Sequence, residues 1–259
     1  MHKREFFQPA ESAEHAKPFV YDDEKTRSMH FSLCELQSRM RLQNPDALDV
    51  EYTRAMMGFL LFSSRPQSIA MIGLGGGSLA KFCYRHLPDT RITVVEINPH
   101  VIALRDQFKV PPDDRRFRVV EADGAHFAAH TDQRFDVLLV DGFDDAGMPD
   151  SLGTQTFYDD CFQMLSPEGI LAVNLHTEHP DYRFFVGRIE RSFNFSVLVV
   201  NVKREGNAIV FASRGPLAEL RHNGVMRHPE RLVSQAWTEL RPTFAQIVAS
   251  MVSEDASPV

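Results

Sequence analysis

The sequence predicts an α/β fold: a mostly parallel, Rossmann-like sheet that ends in an antiparallel hairpin and follows a small β-rich cap. Three observations carry this. Between Ser68 and Leu175 short β-branched runs alternate with stretches of helical periodicity, the pattern of repeated βαβ units joined by right-handed crossovers. Those runs are apolar almost without interruption, as strands covered on both faces must be. The last two runs are separated only by KREG, too short for a crossover and right for a hairpin.

Residues 1–66 stand apart. FVYDD, SMHFSL and ELQSRMRL suit strands of a small cap, and a linking helix is expected over VEYTRAMMGFLLF. A Rossmann-like domain is then expected over 67–214. Its parallel strands are expected at SIAMIG (68–73), RITVVE (91–96), FRVVEA (117–122), FDVLLVD (135–141) and GILAVNL (169–175). Between them SLAKFCYRHL, PHVIALRDQF, DGAHFAAH and TQTFYDDCFQML carry apolar residues at helical spacing. Asn98 can cap the second of these helices, and Pro99 suits its first turn. SVLVVNV (196–202) and NAIVFAS (207–213) form the hairpin, so the last strand should run antiparallel to its partner. Residues 215–259 are expected as a helical extension, with amphipathic stretches at 228–239 and 241–252. Five parallel strands ending in a hairpin match the class I methyltransferase-like sheet and not the two-halved nicotinamide-binding one.

With 259 residues, 43% of them apolar, the chain can bury a proper core. Its net charge is −7 and its basic residues are scattered, which argues against a nucleic-acid partner. A cationic small molecule would suit such a protein, although the same charge also serves solubility. Cys34, Cys83 and Cys161 form no metal or redox pattern, so a reduced, cytoplasmic setting is expected. MHKREFFQPAESAEH has no continuous apolar stretch and does not read as a signal peptide. No run approaches the ~18 apolar residues of a membrane span, so no membrane partner is expected.

MIGLGGGSLAK (71–81) places Gly73, Gly75 and Gly77 in a turn that follows a strand and opens a helix. Backbone N–H groups and the helix dipole there favour electron-rich ligand groups. Glu96 ends the next strand, 19 residues after Gly77, where a carboxylate can accept both hydroxyls of a ribose. Asp123 and Gly124 follow the third strand and Asp141 ends the fourth. All these strand ends open onto one crevice. A nicotinamide cofactor has no use for a carboxylate at each of them. An adenosine bearing a positive sulfonium does: ribose hydroxyls for Glu96, an adenine amino group for Asp123, and a cationic centre for Asp141.

On these residues the span 20–213 resembles the spermidine synthase family of polyamine aminopropyltransferases. IGLGGGS is similar to that family's glycine turn, VVEIN to its ribose strand, EADGAHF to its adenine-contacting segment, and FDVLLVDGFDD to its catalytic strand end. The stretch LGTQTFYDDCFQML, Gln37 in CELQSRM and Tyr52 in VEYTRAM also match. The resemblance implies transfer of an aminopropyl group from decarboxylated S-adenosylmethionine, as co-substrate, to a small-molecule amine acceptor, with no metal. It implies that Gly73, Gly75, Gly77, Glu96, Asp123 and Gly124 bind the nucleoside with help from Gln37. Asp141 and Asp144 would hold and deprotonate the amine, with Tyr52 and Asp145 on the acceptor side and Asp145 competing with Asp144. A homodimer through the cap or the tail is a further expectation of the family.

Several positions depart from the family. Ser78 stands where the glycine turn continues with an aspartate, and Thr53 and Arg54 follow the tyrosine in place of a polar residue and a glutamate. KREGN replaces a tyrosine-bearing segment, and the proline-containing turn has become DGFDDAGMP. An inward Arg54 would repel a cationic acceptor. Two other readings therefore stay open: methyl transfer from intact S-adenosylmethionine to a small molecule, whose carboxylate Ser78 tolerates, and a non-catalytic nucleoside-binding protein. His126 and His130, four apart with Asp123 nearby, lack a third ligand for zinc. His176 follows the fifth strand at the crevice edge and could meet an acceptor. Phe157, Tyr158 and Trp237 read as packing residues, Trp237 also as a candidate for a subunit contact. No nucleophile elbow or phosphate-binding lysine is present, which excludes hydrolase and nucleoside triphosphatase chemistry.

Overall fold

The computed structural model describes residues 15–32, 36–143, 147–202, 206–215, 217, 228–229 and 232–254. Cys34, three residues of the KREG turn, and Asp144 and Asp145 lie outside them. The cap is an antiparallel sheet of β1 (Phe19–Asp22), β2 (Thr26–His30) and β3 (Leu36–Arg41), in that order. Asp23 shapes its first turn by accepting the N–H groups of Lys25 and Thr26 at 2.7 and 2.6 Å. Arg39 and Arg41 both pair with Asp49, tying β3 to the start of α1 (Glu51–Met56). The helix expected over 50–62 begins as α1 and tightens into a 3-10 turn at Met57–Leu61. The tightening falls at Gly58, where a Cβ would lie 2.6 Å from Ile247 and 2.7 Å from Phe211.

The main sheet contains β4 (Ser68–Ile72), β5 (Arg91–Glu96), β6 (Phe117–Glu121), β7 (Phe135–Val140), β8 (Leu165–His176), β9 (Val197–Val202) and β10 (Asn207–Ser213). Their order is β6-β5-β4-β7-β8-β10-β9. The first five are parallel, and β10 runs antiparallel to both β8 and β9. The last strand thus sits between β8 and its own hairpin partner. β8 and β9 therefore point the same way, and a crossover must join them. It is α7 (Tyr182–Ser192), a helix that the sequence reading did not foresee. Only Phe185 and Ile189 are buried on it, and the surrounding arginines obscure its apolar stripe.

Side chains alternate across the sheet and divide the core in two. One face carries Ile69, Met71, Leu139, Ala172, Ile209 and Phe211 and packs on α1, on α2 (Ser78–His86) and on the C-terminal helix. The other carries Ile72, Val95, Val140, Val173 and Val210. It packs on α4 (Gly124–His130), α6 (Gln155–Met164) and α7. A short α5 (Asp150–Gly153) precedes α6.

Two helices differ from expectation. α3 is four residues, Pro99–Ile102, with Asn98 as its cap. Beyond it the chain tightens into turns, Leu104 N–H reaching Val101 O at 3.0 Å, and the buried ammonium of Lys81 donates to the Phe108 carbonyl at 2.8 Å. The two C-terminal stretches are one helix, α8 (Ser234–Glu254), running through Pro242. An interior proline costs ~3 kcal/mol. Leu240, Phe244 and Ile247 are all at least 99% buried, and at ~1.5–3 kcal/mol each they outweigh that cost. No described helix is long and apolar enough to cross a membrane.

Candidate active site

The carboxyl ends of the parallel strands face a cavity of about 830 Å³, closed on its other side by the cap and α1. Its volume lies within the range of small-molecule sites. Gly73, Gly75, Glu96, Asp123, Gly124, Asp141, Gln37 and Tyr52 all line it, and Gly77 sits behind it as the N-cap of α2. Gly73 has φ +98°, and a Cβ there would lie 2.2 Å from the Asp141 carbonyl oxygen. A side chain at that position would therefore push the glycine turn away from the tip of β7. Gly77 opens α2 in the left-handed region, φ +68°. Ser78 follows as the first helical residue and lines the cavity as well.

Glu96 is 8% exposed. Its Oε2 accepts the Leu74 N–H at 2.8 Å and its Oε1 the Asn98 N–H at 2.9 Å. The carboxylate thus organises the glycine turn and the start of α3 together. Burial pushes its carboxyl above the usual range, while the amides of Asn98, Leu74, Gly75 and Ile97 draw it back. Asp123 accepts the His126 N–H at 2.7 Å and caps α4.

Asp141 is half-buried, its open side on the cavity. Its Oδ2 accepts the Tyr52 hydroxyl at 3.1 Å, and its Oδ1 accepts Asn174 Nδ2 at 2.9 Å. Desolvation by the surrounding protein holds its carboxyl above the ordinary value; the Asn174 and Tyr52 bonds and the charge of His176 oppose that. Asn174 Oδ1 in turn accepts Asn207 Nδ2 at 2.9 Å. Neither asparagine was singled out from the sequence, yet strand alternation exposes both. Val137, Leu139 and Asp141 share one face with Ile170, Ala172 and Asn174, and with Asn207, Ile209 and Phe211. Asn174 follows Ile170 and Ala172 on that face of β8, and Asn207 precedes Ile209 and Phe211 on that of β10.

Arg54 does not enter the site. Its guanidinium donates to the carbonyls of Leu48 and Asp49, which directs its charge away from the cavity. His176 lines the cavity, its ring 4.6 Å from that of Phe143. His126 and His130 stack at 4.1 Å, with His130 Nδ1 on the His126 carbonyl. Phe157 and Tyr158 are core residues, and Trp237 packs between His228 and Phe244.

The strand order, with an antiparallel last strand inserted beside β8, defines a methyltransferase-like α/β protein. A family model for the spermine/spermidine synthase domain matches residues 49–191. A polyamine aminopropyltransferase of Neisseria meningitidis is 36% identical over 233 residues, which cover 89% of either chain. One from Chromobacterium violaceum is 39% identical over 196 residues, 75% of each. Among solved structures, a probable spermidine synthase from Corynebacterium glutamicum superposes with a TM-score of 0.66 at 19% identity, covering 88% of this chain and 91% of that one, a likeness of fold. The chain belongs to the spermine/spermidine synthase family.

Proposed function

We propose that this protein is an aminopropyltransferase, moving an aminopropyl group from decarboxylated S-adenosylmethionine to a small amine. The observation that carries the reading is Asp141: a half-buried carboxylate with raised proton affinity, beside the glycine turn and lining the same cavity as Glu96. Relatives at 36% and 39% identity bearing the name polyamine aminopropyltransferase support it.

The chemistry needs such a group. An alkyl amine has a pKa near ~10, so at neutral pH it arrives as an ammonium without a lone pair. Asp141 binds that cation and accepts a proton. The freed lone pair forms the N–C bond at the carbon beside sulfur, and the C–S pair returns to the sulfonium as a neutral thioether. Burial of Asp141 narrows its pKa gap to the ammonium, which eases the transfer. Glu96 takes the ribose hydroxyls, and Asp123 and Gly124 bound the base. The glycine turn brings α2 close to the sulfur. Tyr52 orients Asp141, and Gln37 contributes from the cap. Asp144, with Asp145 beside it, would share the amine with Asp141.

The test supplies decarboxylated S-adenosylmethionine and 1,4-diaminobutane and follows both products by mass spectrometry. Release of 5′-methylthioadenosine with an aminopropylated amine is expected. Consumption of intact S-adenosylmethionine to S-adenosylhomocysteine, with no turnover of the decarboxylated donor, would replace this reading with methyl transfer.

A further inference from the structure

We propose that Asn207, at the start of the last strand, is a positioning residue for Asp141: by donating to Asn174 Oδ1 it anchors the amide that donates to the carboxylate. The inference rests on Asp141 as the proton acceptor of the preceding reading, and adds to it a residue that does not touch that carboxylate.

A primary amide presents a donor on one side and an acceptor on the other. Asn174 lies between two partners that read those sides, Asp141 and Asn207. Its Nδ2 meets Asp141 Oδ1 at 2.9 Å, and its Oδ1 meets Asn207 Nδ2 at 2.9 Å. The acceptor-only carboxylate selects the Nδ2 side, and the Asn207 donor on Oδ1 anchors the amide in that pose and polarises it towards Asp141. Asn174 and Asn207 are 3% and 4% exposed, which leaves little water to soften the choice. The register makes the contact possible. Ile209 pairs with Asn174, so Asn207, two residues away, lies diagonally on the same face.

Among the described residues, the titratable groups facing Asp141 are Tyr52 from α1, which donates to Oδ2, and His176 from β8. The glycine turn of β4 presents only backbone. Asn174 is thus the neutral donor on Oδ1, and Asn207 anchors it there.

The carboxyl can be followed directly by ¹³C NMR of aspartate-labelled, ligand-free protein, with Asp141→Asn assigning the resonance. In Asn207→Asp the new carboxylate can only accept once ionised. It then competes with Asp141 for the Asn174 Nδ2 group. Losing a donor and gaining a nearby negative charge both favour the protonated form, so the Asp141 midpoint should rise by about one unit or more. The acid limb of the turnover profile should rise with it. Asn207→Leu removes the donor without adding charge, and should move both in the same direction by less; it serves if the first variant does not fold. An unmoved midpoint in a folded variant, beside an inactive Asp141→Asn enzyme, would overturn the relay alone. An Asp141→Asn enzyme that kept its rate would overturn the proton-acceptor reading, and with it any purpose for the relay.

Discussion

Replacing Asp141 with asparagine changes one atom's chemistry and almost no volume, and the surroundings accept the change. Asn174 Nδ2, at 2.9 Å, can donate to the new amide oxygen as it did to Oδ1. The Tyr52 oxygen, at 3.1 Å from Oδ2, can turn from donor to acceptor for the new NH₂. What disappears is the base. General-base assistance is worth about 10²–10⁴-fold, or roughly 3–5 kcal/mol at 1.36 kcal/mol per decade. Turnover should fall by that factor.

Stability should move the other way. Because the folded protein holds the Asp141 carboxyl above its unfolded value, the native state binds more protons between the two values. The contribution of this group is fully present below the unfolded pKa and is lost as pH rises through the folded one. At neutral pH the wild type therefore bears the cost of a desolvated charge that the asparagine variant does not. Each unit of upward displacement is worth about 1.4 kcal/mol, and each kcal/mol shifts Tm by about 2–4 °C in a chain of this size. Ligand-free Asp141→Asn should melt above wild type at pH 7.5, with the gap closing as the pH falls through the raised pKa of the wild-type carboxyl. Calorimetric scans across that range, beside steady-state rates, measure both effects. A lower Tm at pH 7.5, a gap indifferent to pH, or a rate within tenfold of wild type would refute the reasoning.

Three other substitutions test neighbouring parts. Glu96→Gln sets an NH₂ against one of the N–H groups of Leu74 and Asn98 and removes the charge. At about 1.5–3 kcal/mol per charged bond, nucleoside affinity by titration calorimetry should fall by roughly 10- to 150-fold, and unchanged affinity would remove Glu96 from ligand binding. Tyr52→Phe takes the donor from Asp141 Oδ2, favouring the protonated carboxyl; the acid limb of the rate profile should move to higher pH, and an unmoved limb would show the 3.1 Å contact to be idle. Pro242→Ala restores an N–H within α8 on an exposed position. It should raise the urea midpoint by the equivalent of up to about 3 kcal/mol without altering kinetics, and a lower midpoint would mean that the proline ring itself packs.

Strands were legible because their physics is local. SIAMI, RITVVE and FDVLLV are apolar on both faces, and burial on both faces is what the sheet provides. The glycine turn, Glu96, Asp123 and Asp141 were legible because strand tips of a parallel sheet share one edge, so spacing alone predicts convergence. Three things were not legible, each decided by tertiary contact. The C-terminal pattern reads as two stretches parting at Leu240, and the buried stripe from Ala236 to Met251 joins them into one helix. Arg54 could have pointed either way until the carbonyls of Leu48 and Asp49 were brought beneath it. Asn174 and Asn207 carry no motif; they matter because two strands 33 residues apart are diagonal neighbours on one face.

The placement of β10 bears on how this protein comes into being. Strands formed early in synthesis cannot pair completely until a segment emerging after residue 206 slides between two of them. Until then Asn174 lacks its Asn207 partner. A ribosome-bound chain halted before that segment would hold the glycine turn, Glu96, Asp141 and Asn174 but not Asn207, so the last link behind the β7 carboxylate is the last to be synthesised.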